Sequence, residues 1–374
     1  MKLSPEQDAA LKAVSDWLKQ PFPQVFRLFG YAGTGKTMLA QRIAEEIDGD
    51  VLFAAFTGKA AQVMRNRGFE GARTIHSLIY RPRGEETVED EDSGKTTVNP
   101  TFSLNRTSPV SKAKLVIVDE CSMVDEELGR DLLSFGAPVL VLGDPGQLPP
   151  ISGGGFFTEQ EPDAMLTEVH RQARDNPIIE LAQIVREGGS LDHGRYGDSR
   201  VIGRGDIDSD QVLAADQVLL GINRTRRRYN QRIRELKGFE GHLPAAGDKL
   251  VCLRNNSEKG LLNGSLWRAM SVGTGKAKAL SMMVKAEDAG PLGDIAKIRV
   301  LKAMFEPGTE EIPWSQRRNS DEFDYGYALT VHKAQGSQWD DVLLFDESFA
   351  FKDTRERWLY TAITRAAERI TIVK

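Results

Sequence analysis

Residues 25–29, VFRLF, lead straight into Gly30-Tyr-Ala-Gly33-Thr-Gly35-Lys36-Thr37, and a helix-compatible MLAQRIAEEI follows. A strand, a glycine turn closing on Gly-Lys-Thr and a helix make a phosphate-binding P-loop, a unit of parallel α/β sheets. Its chemistry is that of the backbone: N–H groups over Gly30, Ala32, Gly33, Thr34 and Gly35, with the helix dipole behind them, cradle the phosphates of ATP. Lys36 reaches the β and γ phosphates, and the Thr37 hydroxyl holds Mg2+. A second Gly-Lys stretch, Gly273-Thr-Gly275-Lys276, lacks this frame, because position 270 is methionine and position 277 alanine, and it reads as a β-turn.

Three further apolar runs, 51–56, 115–118 and 138–142, are each followed by a polar or glycine turn. Continuous apolar strands alternating with helices mark a parallel sheet covered on both faces. Leu115-Val-Ile-Val118 ends in Asp119-Glu120. Two adjacent carboxylates at the end of a buried strand need a neutralising partner, which a metal supplies: Asp119 holds Mg2+, and Glu120 polarises the water that attacks the γ-phosphate. The run 138–142 ends in Gly143-Asp144-Pro145-Gly146-Gln147, which places the Gln147 amide where a γ-phosphate is sensed. Upstream, Ser4-Pro5-Glu6-Gln7 opens a helix, with Ser4 as N-cap and Gln7 where a capping box puts it.

Past a glycine-rich stretch at 152–160 a second α/β pattern begins, with a helix near 176–187, a strand at 217–222 and a helix near 225–237, and it returns at 326–345 and 358–373. Between these, 246–321 has short strands, many glycines and turn pairs such as Asn263-Gly264, the pattern of a small β-barrel-like insertion. A chain of 374 residues accommodates two or three domains. Acids outnumber bases, 54 to 49, but residues 84–95 alone hold six acids and one lysine, and the remainder carries 48 of each. The net charge of −5 is therefore local, and it leaves room for a basic groove that binds nucleic acid. Two cysteines, Cys121 and Cys252, exclude a disulfide framework and point to a reducing compartment. The opening MKLSPEQDAALKAV has no secretory-signal pattern and no run approaches a membrane span, so a cytoplasmic location is expected. Five histidines form no metal-like cluster, and no structural metal is expected.

The order of Gln7, GYAGTGKT, FTGKAAQVM (56–64), TIHSLIY (74–80), VIVDECSMV (116–124), VLGDPGQLPP (141–150), EVHRQ (168–172), ALTVHKAQGS (328–337) and YTAITRA (360–366) resembles the motif series of superfamily 1 helicases. Within them it resembles the RecD-like, 5′-to-3′ branch, superfamily 1B, and in its shortness the Dda-like phage enzymes. The resemblance runs from residue 7 to 366, and nine motifs in order are far more specific than any one. It implies an ATP-dependent DNA helicase built of two RecA-like parallel-sheet P-loop domains with ATP between them. Domain 1A would comprise 1–80 and 113–160, a 1B hairpin 81–112, domain 2A 161–245 and 322–374, and an SH3-like domain 2B 246–321. It gives catalytic roles to Lys36, Glu120, Gln147, Arg171 and Arg365, the arginines as fingers on the γ-phosphate. It adds Gly336 to the nucleotide contacts and has Gln7 read the adenine edge, with the capping box as the alternative for Gln7. Many relatives carry glutamate after the Gly-Ser of TVHKAQGS, where it touches the ribose, and this chain has Gln338.

Single-stranded nucleic acid needs cationic and hydroxyl groups for its phosphates and flat or apolar surfaces for its bases. By resemblance Thr57, Gly58 and Lys59, with Thr74, His76 and Pro149, meet the strand from domain 1A, and Thr330, His332 and Lys333 from domain 2A. For the two histidines a hydrogen-bonded structural role is the alternative. Phe102 sits at a plausible place in the 1B arm, and the acidic run beside it reads as a loop pointing away or a partner site. Trp267 reads as core. The basic run Arg224, Arg226, Arg227, Arg228, Arg232, Arg234 and Lys237 reads as a solvated helix face or as phosphate contacts. Expected partners are single-stranded and forked duplex DNA and replication or recombination proteins, with the chain a monomer. The alternative function is an ATP-switched single-strand-binding or remodelling protein; a metabolic kinase would leave TVHKAQGS and YTAITRA without an account.

Overall fold

The structure, a computed structural model, describes residues 3–89, 96–149, 155–169, 176–273, 277–287, 294–306 and 312–374. Arg171, the end of the acidic run at 90–95, the start of the glycine-rich stretch and Thr274–Lys276 lie outside them. Two compact units divide the chain: residues 1–81, 104–206 and 334–374 form one, and 82–103 with 207–333 the other.

The first unit contains a six-stranded sheet whose order is Arg73–Thr74, Val51–Ala55, Leu115–Asp119, Val139–Gly143, Val25–Gly30 and Ala164–Leu166. Every pairing in it is parallel. The strands are apolar along their length because both faces are covered. Phe26, Leu28, Ile117, Leu140 and Leu142 pack one way, against Val14 of the helix Pro5–Lys19, Leu39 and Ile43 of Lys36–Glu45 and Met64 of Gly58–Asn66. The residues between them, Val25, Phe29, Val116, Val118, Val139 and Val141, pack the other way against Ile75, Ile79, Leu128 and Leu132. The same unit holds Trp339–Phe345, Ala366–Val373 and Ser199–Ile202 as parallel neighbours, with Gly194–Tyr196 antiparallel at the edge. The helices Pro177–Arg186 and Arg355–Ile363 pack on each other beside these strands. No helix among the described residues is long and apolar enough to cross a membrane.

In the second unit Gln217–Leu220 pairs in parallel with Ala328–Thr330. A five-stranded antiparallel sheet follows the order Ile295–Leu301, Ala279–Ala286, Leu266–Val272, Lys249–Cys252 and Phe323–Tyr325. Here burial alternates residue by residue along Ala279–Ala286 and Ile295–Leu301, the signature of a sheet with one covered face. Trp267 is buried in it, its indole N–H donating to the Ser265 hydroxyl. Tyr80–Glu89 and Thr96–Leu104 form a separate two-stranded sheet.

The basic run lies on the helix Asn223–Leu236 and the residue after it, and helical periodicity splits it. Arg224, Arg227, Arg228, Arg232 and Lys237 are exposed, whereas Arg226 and Arg234 turn inward. Arg226 pairs with Asp324 at 2.8 Å, and Arg234 with Asp248 at 2.9 Å, both members of the latter pair without solvent contact. Asp248 also accepts from the Ala245 N–H and the Tyr327 hydroxyl. Five of the seven cations thus face solvent, Arg232 among them paired with Glu235 at 3.2 Å, and two belong to the fold. Arg234→Met would strand a buried carboxylate and cost about 3–5 kcal/mol. A urea-unfolding series on the full chain checks this, and replacing Asp248 by leucine as well should recover only part of the loss, because the Ala245 N–H and the Tyr327 hydroxyl then lose their acceptor.

Candidate functional site

Three strands that adjoin in the first sheet, Leu115–Asp119, Val139–Gly143 and Val25–Gly30, end at the same edge, since parallel strands share a carboxyl end. Beyond Val25–Gly30 the chain turns through Gly33 and Gly35, at φ 79° and 81°, left-handed values that side chains resist. Gly30 is needed for a different reason: a Cβ there would come within 2.8 Å of the Leu166 Cβ. The helix Lys36–Glu45 starts with no side-chain cap, so its first N–H groups have no partner from an N-cap side chain. A cavity of about 510 Å³ opens there, lined by the loop from Tyr31 to Thr37, except Thr34, and by Asp119, Glu120, Gln147, Gly336 and Arg365. Lys36 Nζ donates to the Gly30 and Tyr31 carbonyls at 2.6 and 2.9 Å.

Glu120 is the one non-glycine among the described residues with positive φ, 52°, a conformation that costs energy and recurs at functional sites. Its Oε1 lies 3.8 Å from Arg365 Nη1. Arg365 is itself buried, its guanidinium donating to the Thr361 and Ser337 carbonyls at 3.0 and 3.3 Å and to the Thr364 hydroxyl at 3.2 Å. Beside Glu120 the Asp119 carboxyl is pushed up to about 6, by burial first and then by the Glu120 charge. A divalent cation relieves that strain, and a carboxylate beside the Thr37 hydroxyl in one cavity is an oxygen donor set that suits Mg2+. Gln147 Oε1 is buried without a hydrogen-bond partner, so the cavity presents an orphaned acceptor beside the phosphate-binding loop.

Asp144 is buried below this group, accepting from the Gly146 N–H at 3.0 Å and the Tyr360 hydroxyl at 2.8 Å. Burial pushes its carboxyl up, and the Lys36 charge with these two hydrogen bonds draws it back. Burial and Asp144 push the Tyr360 phenol up as well, so its proton stays on the donating oxygen. The same hydroxyl accepts from the Ala32 N–H at 2.9 Å. Asp144 and Tyr360 lie inside the VLGDPGQLPP and YTAITRA motifs, but nothing local assigns either a role: one lies in a Gly/Pro turn and the other in a helix whose neighbouring apolar positions are all core. Arg67, which lines the cavity and donates to Gln338 Oε1 at 3.1 Å, and Arg186, stacked 3.8 Å from the Tyr31 ring centre, have no signal in the sequence either.

Gln7 is buried away from the cavity lining. Its amide completes the capping box with Ser4 and donates to the Thr34 carbonyl at 3.0 Å. Of the strand-contact candidates, Thr57 and Thr74 cap the helices Gly58–Asn66 and Ile75–Ile79, accepting from Ala60 and Ser77 N–H. Gly58 and Lys59 lie buried in the first turn, His76 is exposed with its ring 4.7 Å from that of Tyr80, and Pro149 is half-buried. In the second unit Thr330 is buried at a strand end, His332 is half-buried, Lys333 is exposed and Phe102 is 44% exposed. The helix Gly58–Asn66 serves both groups: Thr57 and Lys59 are at its start, while its Ala60, Val63 and Met64 line the cavity. Gly336 closes on it so tightly that a Cβ would sit 2.9 Å from the Ala60 Cβ and 3.2 Å from the Thr57 hydroxyl.

A family model described as an AAA domain matches residues 2–206, more than half of the chain, and one described as a UvrD-like helicase C-terminal domain matches residues 325–373. The chain belongs to this AAA-domain family of P-loop proteins, and the relatives it resembles include RecD-like and Dda-like helicases. It is 29% identical over 378 residues to the ATP-dependent RecD2 DNA helicase of Deinococcus radiodurans, an alignment covering 91% of this chain and 46% of that protein. Against the ATP-dependent DNA helicase dda of Enterobacteria phage T4 it is 32% identical over 174 residues, 42% of this chain and 37% of the relative. The chain thus spans less than half the length of either. Its fold matches that of a Pif1 helicase from Bacteroides, solved with ADP-AlF3 and ssDNA, at a TM-score of 0.59 and 18% identity, over 99% of this chain and 92% of the other.

Gly336 has φ 73°, so Gly336→Ala adds a strained backbone to the contact with Ala60. The variant should lose at least about 1–2 kcal/mol in a thermal melt, and equilibrium binding of a fluorescent ADP should weaken with it.

Proposed function

We propose that this chain is an ATP-dependent DNA helicase that moves 5′ to 3′ on single-stranded DNA and separates duplex DNA ahead of it. The observation that carries the reading is the single cavity in which Lys36, Thr37, Asp119, Glu120, Gln147 and Arg365 meet, walled by the helix whose start bears Thr57 and Lys59. ATP lies with its phosphates on the Gly33–Thr37 backbone. Lys36 leaves its carbonyl contacts for the β and γ phosphates, and Thr37 and Asp119 would hold Mg2+, which would supply positive charge to the phosphate oxygens. Glu120 takes a proton from the attacking water as its oxygen bonds the γ phosphorus and the bridging bond to ADP breaks. Gln147 orients that water, and Arg365, with Arg171 as a second finger, stabilises the charge of the transition state.

Movement follows if the phosphate state at Gly336 reaches the helix Gly58–Asn66, so that grip by Thr57, Gly58 and Lys59 alternates with grip by Thr330, His332 and Lys333. Thr74, His76 and Pro149 complete the strand contacts. In this reading 1–80 with 113–160 is domain 1A, 161–245 with 322–374 is domain 2A, and 246–321 is the SH3-like domain 2B. Residues 81–112 are the 1B arm, with Phe102 against the duplex. The partners are single-stranded and forked DNA, met by a monomer; the ssDNA of the Pif1 structure supports the first of these.

The test is ATP hydrolysis with and without single-stranded DNA, run beside unwinding of forks carrying only a 5′ or only a 3′ tail. Hydrolysis should rise with DNA, and only the 5′-tailed fork should open. Lys36→Ala should lower hydrolysis more than about a hundredfold and abolish unwinding while strand binding persists; unwinding by that variant refutes the proposal. Deleting 84–106 should remove strand separation and spare DNA-stimulated hydrolysis.

A further inference from the structure

The helix Arg355–Ile363 reaches the phosphate-binding loop through one hydroxyl. Tyr360 Oη accepts the Ala32 N–H at 2.9 Å and donates to Asp144 Oδ2 at 2.8 Å. The next residue, Thr361, accepts the Leu148 N–H on its hydroxyl at 2.8 Å, and its carbonyl receives the Arg365 Nε at 3.0 Å. Gln335 holds the other side of Leu148, donating to its carbonyl at 3.1 Å. The Tyr360 ring is seated against Gly146, where a Cβ would come within 2.9 Å of it. Two consecutive side chains on one helix therefore tie down both the P-loop and the loop that carries Gln147, and the same helix runs into Arg365. Tyr360 and Asp144 are both buried, so each partner that is lost leaves a polar group without water to replace it.

We propose that Tyr360 is a positioning residue for phosphate transfer, its hydroxyl holding Gln147 and Arg365 in register with the P-loop. The inference rests on the function proposed above. Loss of this hydroxyl frees one loop N–H, that of Ala32, and leaves Lys36 and the Gly33–Thr37 backbone that hold the phosphates in place, whereas Gln147 and Arg365 act on the reacting γ-phosphate. Small misplacements of such groups are felt in the transition state and hardly in binding. The effect therefore belongs in turnover.

Tyr360→Phe keeps the ring on Gly146 and removes both hydrogen bonds. With saturating single-stranded DNA, its kcat for ATP should fall roughly ten- to a hundredfold, while KM and the Kd of a fluorescent ADP stay within about threefold. Asp144→Asn should also lower kcat, and the double variant should be no slower than the slower single one, because both changes break one unit. Thermal melts of all three confirm that they are folded, and Asp144→Asn carries the test if Tyr360→Phe does not fold. A Tyr360→Phe enzyme with the original kcat, or one whose KM alone rises, overturns the inference, as do losses that multiply in the double variant. If the unsubstituted chain hydrolyses no nucleoside triphosphate, the proposed function fails and this role fails with it. Hydrolysis by the unsubstituted chain with an unaffected Tyr360→Phe sinks the positioning role alone.

Discussion

The parallel pairing of Val25–Gly30 with Val139–Gly143, and of that strand with Leu115–Asp119, is the constraint on which the rest depends. It brings to one edge three loops spread over more than a hundred residues of sequence: the glycine turn, the Asp119-Glu120 pair and the segment from Asp144 to Gln147. The pairing requires strands covered on both faces, and it carries one exception within itself. Arg27, in the middle of the first strand, is buried, and the fold accommodates it by hydrogen bonds: its Nε donates to the Phe157 carbonyl at 3.2 Å, and its backbone N–H to Asp163.

At that edge the chain concentrates charge that it does not fully neutralise. Asp119, Glu120 and Asp144 line one cavity with Lys36 and Arg365, one carboxyl is raised by burial and by its neighbour's charge, Glu120 holds a left-handed backbone, and a buried amide oxygen lacks a donor. Local strain of this kind persists where the surrounding structure over-determines it. Here the surroundings are the packed sheet below and the helix Arg355–Ile363 beside it, whose Tyr360 and Thr361 are bonded to two of the three loops. The site is held in a high-energy arrangement that phosphate and a divalent cation would relieve.

Much of this is legible in the amino-acid sequence. The capping box at Ser4 and Gln7, the four strands of the first half and the helix Pro177–Arg186 follow from local pattern, because each is decided by neighbours a few residues away. The basic run was legible only in part. Composition shows seven cations, but whether a given one faces water depends on a helix phase and on acids nearly a hundred residues distant, such as Asp324 for Arg226. Gln7 is a similar case, since its capping role is local, whereas its bond to the Thr34 carbonyl depends on where the helix Pro5–Lys19 packs.

The amino-acid sequence by itself determined the P-loop, the carboxylate pair after the third apolar run and the order of motifs, because these rest on residue types at short fixed spacings. Tertiary structure alone decided that Tyr360 would take the Ala32 N–H and the Asp144 carboxylate, that Arg365 would stand 3.8 Å from Glu120, and that Gly336 would close on the helix bearing Thr57. Those are contacts between segments 200 to 330 residues apart. No local preference encodes them, since they follow from how sheets and helices bury their apolar faces against one another.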